Sequence, residues 1–120
     1  MKRTLGLTLL LFATLFSCMR QEKPLPAELS RAESVMWEHP DSALSILRSM
    51  PQSSLSSGKN YATWALLLAQ ARDKVYGKRL PDSLNIPSSD KLVQDAMDYF
   101  EKEDDLERMA QAYYYKGQLL

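Results

Sequence analysis

The residues that could perform chemistry in this chain are few, and their spacing does not assemble a reactive group. His39 is the only histidine, and no second histidine or cysteine stands near it at metal-ligand spacing, so we expect a turn residue and no metal site. Serines are abundant, but a serine nucleophile needs a base within hydrogen-bonding reach, and no Gly-x-Ser-x-Gly motif occurs. The four glycines stand apart, so no phosphate-binding loop is predicted. We therefore predict that the chain is not an enzyme and holds no cofactor.

A run of carboxylates in the C-terminal third could in principle hold a cation or act as acid and base. Its members are Asp95, Asp98, Glu101, Glu103, Asp104 and Asp105. The run lacks the alternating ligands and the glycine of a calcium-binding loop. Helical hairpins also provide no deep pocket that would shift the pKa values of a carboxylate pair. We expect a solvated helix face that ends in an acidic turn.

Cys18, the only cysteine, stands where an apolar N-terminal segment gives way to a polar one. Lys2 and Arg3 precede fourteen uncharged residues, 4–17, and charged residues and prolines follow Cys18. A positive start, a short apolar stretch and a small residue before the break are typical of an export signal. The stretch is too short to span a bilayer comfortably, which takes about 20 residues. We predict a signal peptide at 1–17 and a tether at 18–26, and a single cysteine provides no disulfide within the chain.

Leu15-Phe16-Ser17-Cys18 resembles the lipobox of bacterial lipoproteins, with Phe16 where a small or aliphatic residue is usual. The resemblance implies that Cys18 is the lipid attachment site and the first residue of the mature chain. It also implies a place in the cell envelope, in the outer membrane facing the periplasm, because no strongly acidic export tag follows Cys18. An uncleaved anchor and ordinary secretion are the alternatives.

The composition indicates one small, mildly acidic domain. The whole chain has 15 basic and 15 acidic residues; without Lys2 and Arg3, residues 18–120 carry 13 and 15, a net charge of −2. Nucleic-acid binding through a basic stripe is therefore not expected. With 45% hydrophobic and 25% charged residues, the composition is that of a globular protein. About 95 residues follow the tether, enough for one small domain.

Beyond the tether, apolar residues recur at helical spacing, and no segment alternates like a strand. Helices are predicted at 27–38, 40–50, 59–76, 89–102 and 106–120, with Pro51, Gly77 and the acidic turn 103–105 between them. The third is predicted to be the most buried, with Tyr61, Trp64, Ala65, Leu68, Arg72 and Val75 on one face. On the last helix the predicted inward face is Met109, Ala110, Tyr113, Gly117 and Leu120.

These hairpins resemble tetratricopeptide repeats. Residues 40–47 (Pro-Asp-Ser-Ala-Leu-Ser-Ile-Leu) resemble the second helix of a repeat, and Ala96 with Phe100 its small-then-aromatic pair. Tyr113 with Gly117 resembles the aromatic and glycine of a first helix. Together with the lipobox, they resemble the tetratricopeptide-repeat lipoproteins of bacteria with two membranes. The resemblance implies an all-α fold in which residues 27–120 form antiparallel helical hairpins, about two and a half repeats of a short α-solenoid with the last one incomplete.

For function, the resemblance implies a membrane-anchored module that binds a protein or peptide and performs no catalysis. Successive residues of a helix point about 100° apart, so one or two of the tyrosines at 113–115 must face solvent or a groove. In repeat proteins the concave surface belongs to the first helix of each pair, where aromatic and Arg side chains are frequent contact anchors. The predicted partner-binding residues are Gln70, Arg72, Lys74, Gln111, Tyr114, Tyr115 and Lys116.

Two other functions remain open at this point. The chain could be the N-terminal sensor part of a longer envelope-spanning regulator, or a lipoprotein that captures glycans on an aromatic platform. Residues 118–120 end on an apolar face without a polar cap, and about three repeats are normally needed for a stable array. We therefore expect the natural chain to continue past Leu120; the alternative is that the last helix docks on a partner or on a second copy of the chain.

Overall fold

The computed structural model describes residues 25–119. The predicted signal peptide at 1–17, Cys18, most of the tether and Leu120 lie outside the described residues. Within the described part every regular element is a helix and no strand occurs, so the all-α prediction is confirmed. The α-helices are α1 (Ala27–Val35), α2 (Pro40–Ser49), α3 (Gly58–Tyr76), α4 (Ser89–Lys102) and α5 (Leu106–Gln118). Short 3-10 helices lie between α2 and α3 (Gln52–Leu55) and between α3 and α4 (Gly77–Arg79 and Asp82–Leu84).

Side-chain caps fix where three of the helices begin. The side chains of Ser57, Ser88 and Asp105 each accept a backbone N–H three residues ahead at 3.1 Å, at the starts of α3, α4 and α5. Such a bond satisfies one of the amides that a helix start leaves unpaired. Gly77 follows α3 with a positive φ of 57°, where a glycine is favoured, and its N–H donates to the Asp73 carbonyl. The predicted glycine end of the third helix is therefore confirmed.

The first helix is shorter than predicted. α1 ends at Val35, and residues 36–38 form a turn in which the N–H of Met36 donates to the Glu33 carbonyl at 3.3 Å. Proline disfavours helical backbone at the residue before it, and His39 before Pro40 has φ −136° and ψ 67°. The chain must therefore leave the helix before His39, and the turn places Trp37 on the surface.

α3 is the central helix of the structure. Each helix packs against the next one along the chain, and α1 and α5 also contact α3, so α3 touches all four of the others. The eleven consecutive residues from Ala62 to Arg72 are all buried, which confirms the prediction that this helix is the most buried. The core that surrounds it includes Leu29, Met36, Leu47, Leu92, Val93 and Phe100.

Two polar contacts hold α3 against its neighbours. The indole N–H of Trp64 donates to the Leu47 carbonyl at 2.8 Å, in the last turn of α2, where helix carbonyls lack partners within the helix. The hydroxyl of Tyr61 donates to the Asp95 carboxylate on α4 at 2.7 Å, and Lys91 forms an ion pair with the same carboxylate at 2.7 Å.

The predicted inward face of the last helix is confirmed at Met109, which packs against the core, and is wrong at Ala110, Tyr113 and Gly117, which are exposed. α5 buries Ala112 and Tyr115, whereas Tyr113 is 52% exposed and Gly117 is exposed. Among the described residues the backbone of α5 comes close only to those of α3 and α4, so one stripe of the helix is packed against the core. Because apolar residues occur all around this helix, the pattern permits more than one inward face, and the stripe with the small Ala112 is the one that meets the core.

Candidate functional site

An open groove lies on the side of the molecule formed by α1, α3 and α5. It encloses about 450 Å³ and is called the three-helix groove below. From α1 and its following turn come Glu33, Met36 and Trp37, and from α3 come Gln70, Asp73 and Lys74. α5 adds Ala110, Gln111, Tyr114 and Tyr115. On each helix these residues are three or four apart or adjacent, so each helix contributes one stripe.

Two aromatic side chains in the groove are open to solvent. Trp37 is 77% exposed, in the turn after α1, and Tyr114 is 59% exposed on α5. The ammonium nitrogen of Lys74 lies 3.5 Å from the centroid of the Trp37 ring, a cation–π contact. Large exposed aromatics of this kind are frequent anchors of protein interfaces.

Tyr115 and Gln70 form a neutral polar part of the groove. The Tyr115 ring is buried and meets the Tyr114 ring edge-on, with 5.0 Å between centroids. Burial raises the pKa of Tyr115 to about 12, the charges of Asp73 and Tyr114 act in the same direction, and a hydrogen bond with Gln70 opposes them. The hydroxyl therefore remains protonated at neutral pH.

This pKa predicts a loss of stability in alkaline solution. Because the folded state raises the pKa of Tyr115 from 10 to about 12, the full stabilisation is present below pH 10 and is lost as the pH rises towards 12. We expect the free energy of unfolding to fall over this range, as measured by urea unfolding at several pH values. The pKa of Tyr61 is also raised by burial, so the matched control is Tyr115→Phe, which should show a smaller fall. Equal slopes for both proteins would contradict the assignment.

An ion pair joins α1 to α5 beside the groove. The guanidinium of Arg108 donates through both terminal nitrogens to the Glu33 carboxylate, with Nη2 and Oε1 3.1 Å apart. Its Nη1 also donates to Oε1 of Gln111 at 3.3 Å. A contact through two pairs of atoms fixes the orientation of the two side chains as well as the distance between them. The backbones of α1 and α5 do not approach each other closely, so these side chains connect the two walls.

The structure brings together five of the seven predicted partner-binding residues: Gln70, Lys74, Gln111, Tyr114 and Tyr115 all line the groove. Lys116 does not; its ammonium forms an ion pair with Asp90 of α4 at 2.7 Å. As expected from the tyrosine run, two of the three tyrosines are exposed, but the buried one is Tyr115, whereas the prediction placed Tyr113 inward.

Arg72 also lies outside the groove and is only 6% exposed. Its guanidinium donates to the carbonyls of Pro87 at 2.7 Å and Ile86 at 3.3 Å, and to the Ser89 hydroxyl at 3.3 Å. Burial lowers the pKa of Arg72, and the nearby charge of Arg48 adds to that effect. These bonds attach the long α3–α4 connection to α3, so the structure gives Arg72 a role in folding.

We expect Arg72→Met to lower the free energy of unfolding by about 2–3 kcal/mol, because hydrogen bonds from a charged group are lost and buried acceptors are left unpaired. Urea unfolding followed by circular dichroism measures the change. Lys116→Met is the control, since removal of a surface ion pair should change stability by less than about 1 kcal/mol. An Arg72→Met protein with unaltered stability and impaired partner binding would instead support a contact role for Arg72.

Sequence reasoning missed Glu33, Met36, Trp37, Asp73 and Ala110 as groove residues. For the first four the available signal was spacing: across α1 and its following turn, Glu33, Met36 and Trp37 repeat the three-and-four spacing that Gln70, Asp73 and Lys74 have on α3. The carboxylate run falls elsewhere, largely on exposed positions, and Asp105 caps α5. His39 is exposed at the turn before α2.

Residues 25–119 contain neither a cluster of metal-binding side chains nor a helix that could cross a membrane. This part of the chain contains no group of three or more His, Cys, Asp or Glu side chains that could hold a metal ion. None of its helices has the length and apolar character needed to cross a membrane. Compared with protein-family models, curated proteins and solved structures, the chain matches none. A functional assignment must therefore be argued from the chemistry of the groove itself.

Proposed function

We propose that this chain is a lipid-anchored helical-repeat module that binds a short segment of a partner protein in the three-helix groove and catalyses no reaction. The observation that carries the proposal is the convergence of two solvent-exposed aromatics, Trp37 and Tyr114, in one groove with the side-chain amides of Gln70 and Gln111.

The order of the helices supports a repeat architecture of the tetratricopeptide type. Consecutive helices pack on each other, and the helices that line the groove alternate with α2 and α4, which contribute none of its lining. α1–α2 and α3–α4 would be two antiparallel hairpins and α5 the first helix of a third. In such arrays the alternate helices form the concave face, where partners bind.

The groove's chemistry suits a peptide. Exposed aromatic rings offer large apolar area at a small entropy loss, and a partner side chain that covers them gains most of the available binding energy. Gln111 Oε1 accepts from Arg108 and Gln70 forms a hydrogen bond with Tyr115, so the part of these amides that suits an extended backbone is the N–H donors of Gln111, which match a backbone C=O. A volume of about 450 Å³ falls in the range of small binding pockets and accommodates a few side chains.

Two features of the titratable groups support binding without catalysis. The pKa of Tyr115 is about 12, too high for proton transfer near neutral pH. The guanidinium of Arg108 donates to the Glu33 carboxylate and to Gln111. Both charged groups are therefore already engaged in contacts within the chain.

Glycan capture is the second candidate, and the exposure of Trp37 is the observation that favours it. An open indole ring beside amide and carboxylate groups is also a suitable platform for a sugar. Binding of either ligand is also compatible with the sensor part of a longer envelope-spanning regulator. In that role the groove would bind the ligand, and another part of the regulator would carry the response.

A display selection tests peptide binding. The immobilised chain is presented with a random peptide library and, separately, with a panel of glycans. We expect peptides with a shared motif to be enriched, with binding lost in Trp37→Ala and Tyr114→Ala and retained in Tyr113→Ala, which alters an exposed tyrosine outside the groove. Glycan binding with the same pattern of losses would favour the second candidate. Enrichment of no ligand, or of ligands indifferent to both groove substitutions, would refute the proposal.

The lipid anchor has its own test. In a bacterium with an outer membrane, we expect the wild-type chain in the membrane fraction, with a mature N-terminal peptide that begins at Cys18 and carries acyl groups. Mass spectrometry of that peptide measures both points. Cys18→Ser should abolish acylation and leave the signal peptide uncleaved. An unacylated N-terminus in the wild type would remove the anchor from the account.

A further inference from the structure

The groove already holds one positive charge against an aromatic ring. The Lys74 ammonium lies 3.5 Å from the Trp37 ring centroid, and tryptophan is the side chain whose face attracts a cation most strongly. Trp37 is nevertheless 77% exposed, so the lysine leaves most of the ring accessible. At an exposed site such a contact changes an equilibrium only about two- to fivefold, and a lysine stem is flexible, so a ligand can displace Lys74.

Asp73, which lines the same groove, is a carboxylate without a partner among the described residues. Within residues 25–119, the Asp73 side chain forms no hydrogen bond or ion pair, while its charge acts on the Tyr115 hydroxyl nearby. Glu33, from α1, is the other carboxylate in the lining, and Arg108 is paired with it. Lys74 is the one cationic side chain that lines the groove in the described part of the chain.

The charged groups that line the groove indicate which sign of charge a ligand should carry. A cation that enters the groove meets two open aromatic rings and the unpaired Asp73. An anion meets the unpaired Asp73, while the charge of Glu33 is balanced by Arg108, and it gains the ammonium of Lys74 only by drawing it away from Trp37. Complementarity of charge therefore favours a positive ligand group.

We infer that the three-helix groove selects a lysine or arginine side chain of its peptide ligand, which takes the place of Lys74 against Trp37 and pairs with Asp73. The inference rests on the proposed function, since it specifies which peptide segment the groove binds. Lys74 then acts as an internal competitor for the position that the partner's cation occupies.

Four capped hexapeptides that differ only in a central Arg, Lys, Gln or Glu are the probes. Each is titrated into the isotopically labelled chain, and the indole N–H signal of Trp37, assigned with Trp37→Phe, reports binding. We expect the Arg and Lys peptides to bind at least about threefold more tightly than the Gln peptide, and the Glu peptide to bind most weakly.

Two variants separate this mechanism from a general effect of charge. Lys74→Met should tighten binding of the Arg and Lys peptides about two- to fivefold, because the competitor and its repulsion are removed. Asp73→Asn should weaken the same peptides. Lys78→Met removes one positive charge from an exposed site outside the groove and should leave the affinities unchanged.

The outcomes distinguish this inference from the proposed function. Equal affinity for all four peptides, a preference for Glu, or weaker binding of the Arg and Lys peptides to Lys74→Met would overturn cation selection while leaving peptide binding in place. If none of the four shifts Trp37, cation selection is overturned as well, and the display selection decides independently whether the groove binds peptides.

Discussion

Trp64→Ala is expected to lower the free energy of unfolding by about 3–5 kcal/mol, the range for deletion of a large aromatic side chain from a core. The Trp64 ring is buried between α3 and α2, and its indole N–H donates to the Leu47 carbonyl at 2.8 Å. The alanine removes both the packing and this bond, and leaves the Leu47 carbonyl with the longer bond from the Met50 N–H at 3.5 Å. For a domain of this size the melting temperature should fall by about 15–30 °C.

Thermal and urea unfolding followed by circular dichroism measure the loss. Trp64→Phe is the matched control, because it keeps a ring in the core and removes the indole N–H. It should lose about 0.5–1.5 kcal/mol, the typical net value of one hydrogen bond, because the Leu47 carbonyl still accepts the Met50 N–H. A Trp64→Ala protein as stable as the wild type would mean that α2 and α3 do not pack through this residue, and the packing of these two helices would have to be revised.

Trp37→Ala is expected to cause a large loss of ligand binding with little change in stability, unlike Trp64→Ala, whose main effect is on stability. The ring is 77% exposed, so its removal takes little apolar area from the core, and the lost contact with Lys74 is worth about 0.5–1 kcal/mol. As an interface anchor the same ring should contribute about 2 kcal/mol or more to ligand binding, which is roughly a thirtyfold change in affinity.

Calorimetric titration with a display-selected peptide, alongside urea unfolding of each variant, separates these two quantities. Tyr113→Ala is the control, since Tyr113 is 52% exposed on α5 but does not line the groove. It should change neither affinity nor stability by more than about 0.5 kcal/mol, as expected of a surface substitution. If Trp37→Ala binds as tightly as the wild type, or if Tyr113→Ala loses as much affinity, the groove is not where the ligand binds.

The helices themselves could be predicted from the sequence because their signals are local. α3 has apolar residues at nearly every turn and a glycine at its end, and α4 has Ser88 as a cap, so both elements were predicted to within a residue. The face of α5 could not be predicted in this way. Its apolar residues surround the helix, and which stripe becomes buried depends on where α3 and α4 lie, information that no local window contains.

The groove was predicted in part for a geometric reason. Gln70, Lys74 and Gln111 could be selected because alternate helices of a solenoid share one face, which is a rule about order along the chain. The same rule does not predict the contacts of Arg72. Its oxygen partners belong to Ile86, Pro87 and Ser89, which lie 14 to 17 residues later in the chain. Only the folded path of residues 77–89 brings them to the guanidinium. Trp37 was missed because the turn at 36–38, which exposes it, interrupts a pattern that otherwise continues as a helix.

We propose that α1, α3 and α5 together form the binding surface, and chemical-shift mapping with a bound peptide tests this proposal. A display-selected peptide is added to the isotopically labelled chain, and the shift of every assigned backbone and indole N–H is recorded. The account predicts that the largest changes occur at Trp37, Lys74, Gln111 and Tyr114, with α2 and α4 little affected. Changes confined to α2 and α4, or to the outer side of α5 around Leu106 and Tyr113, would contradict it.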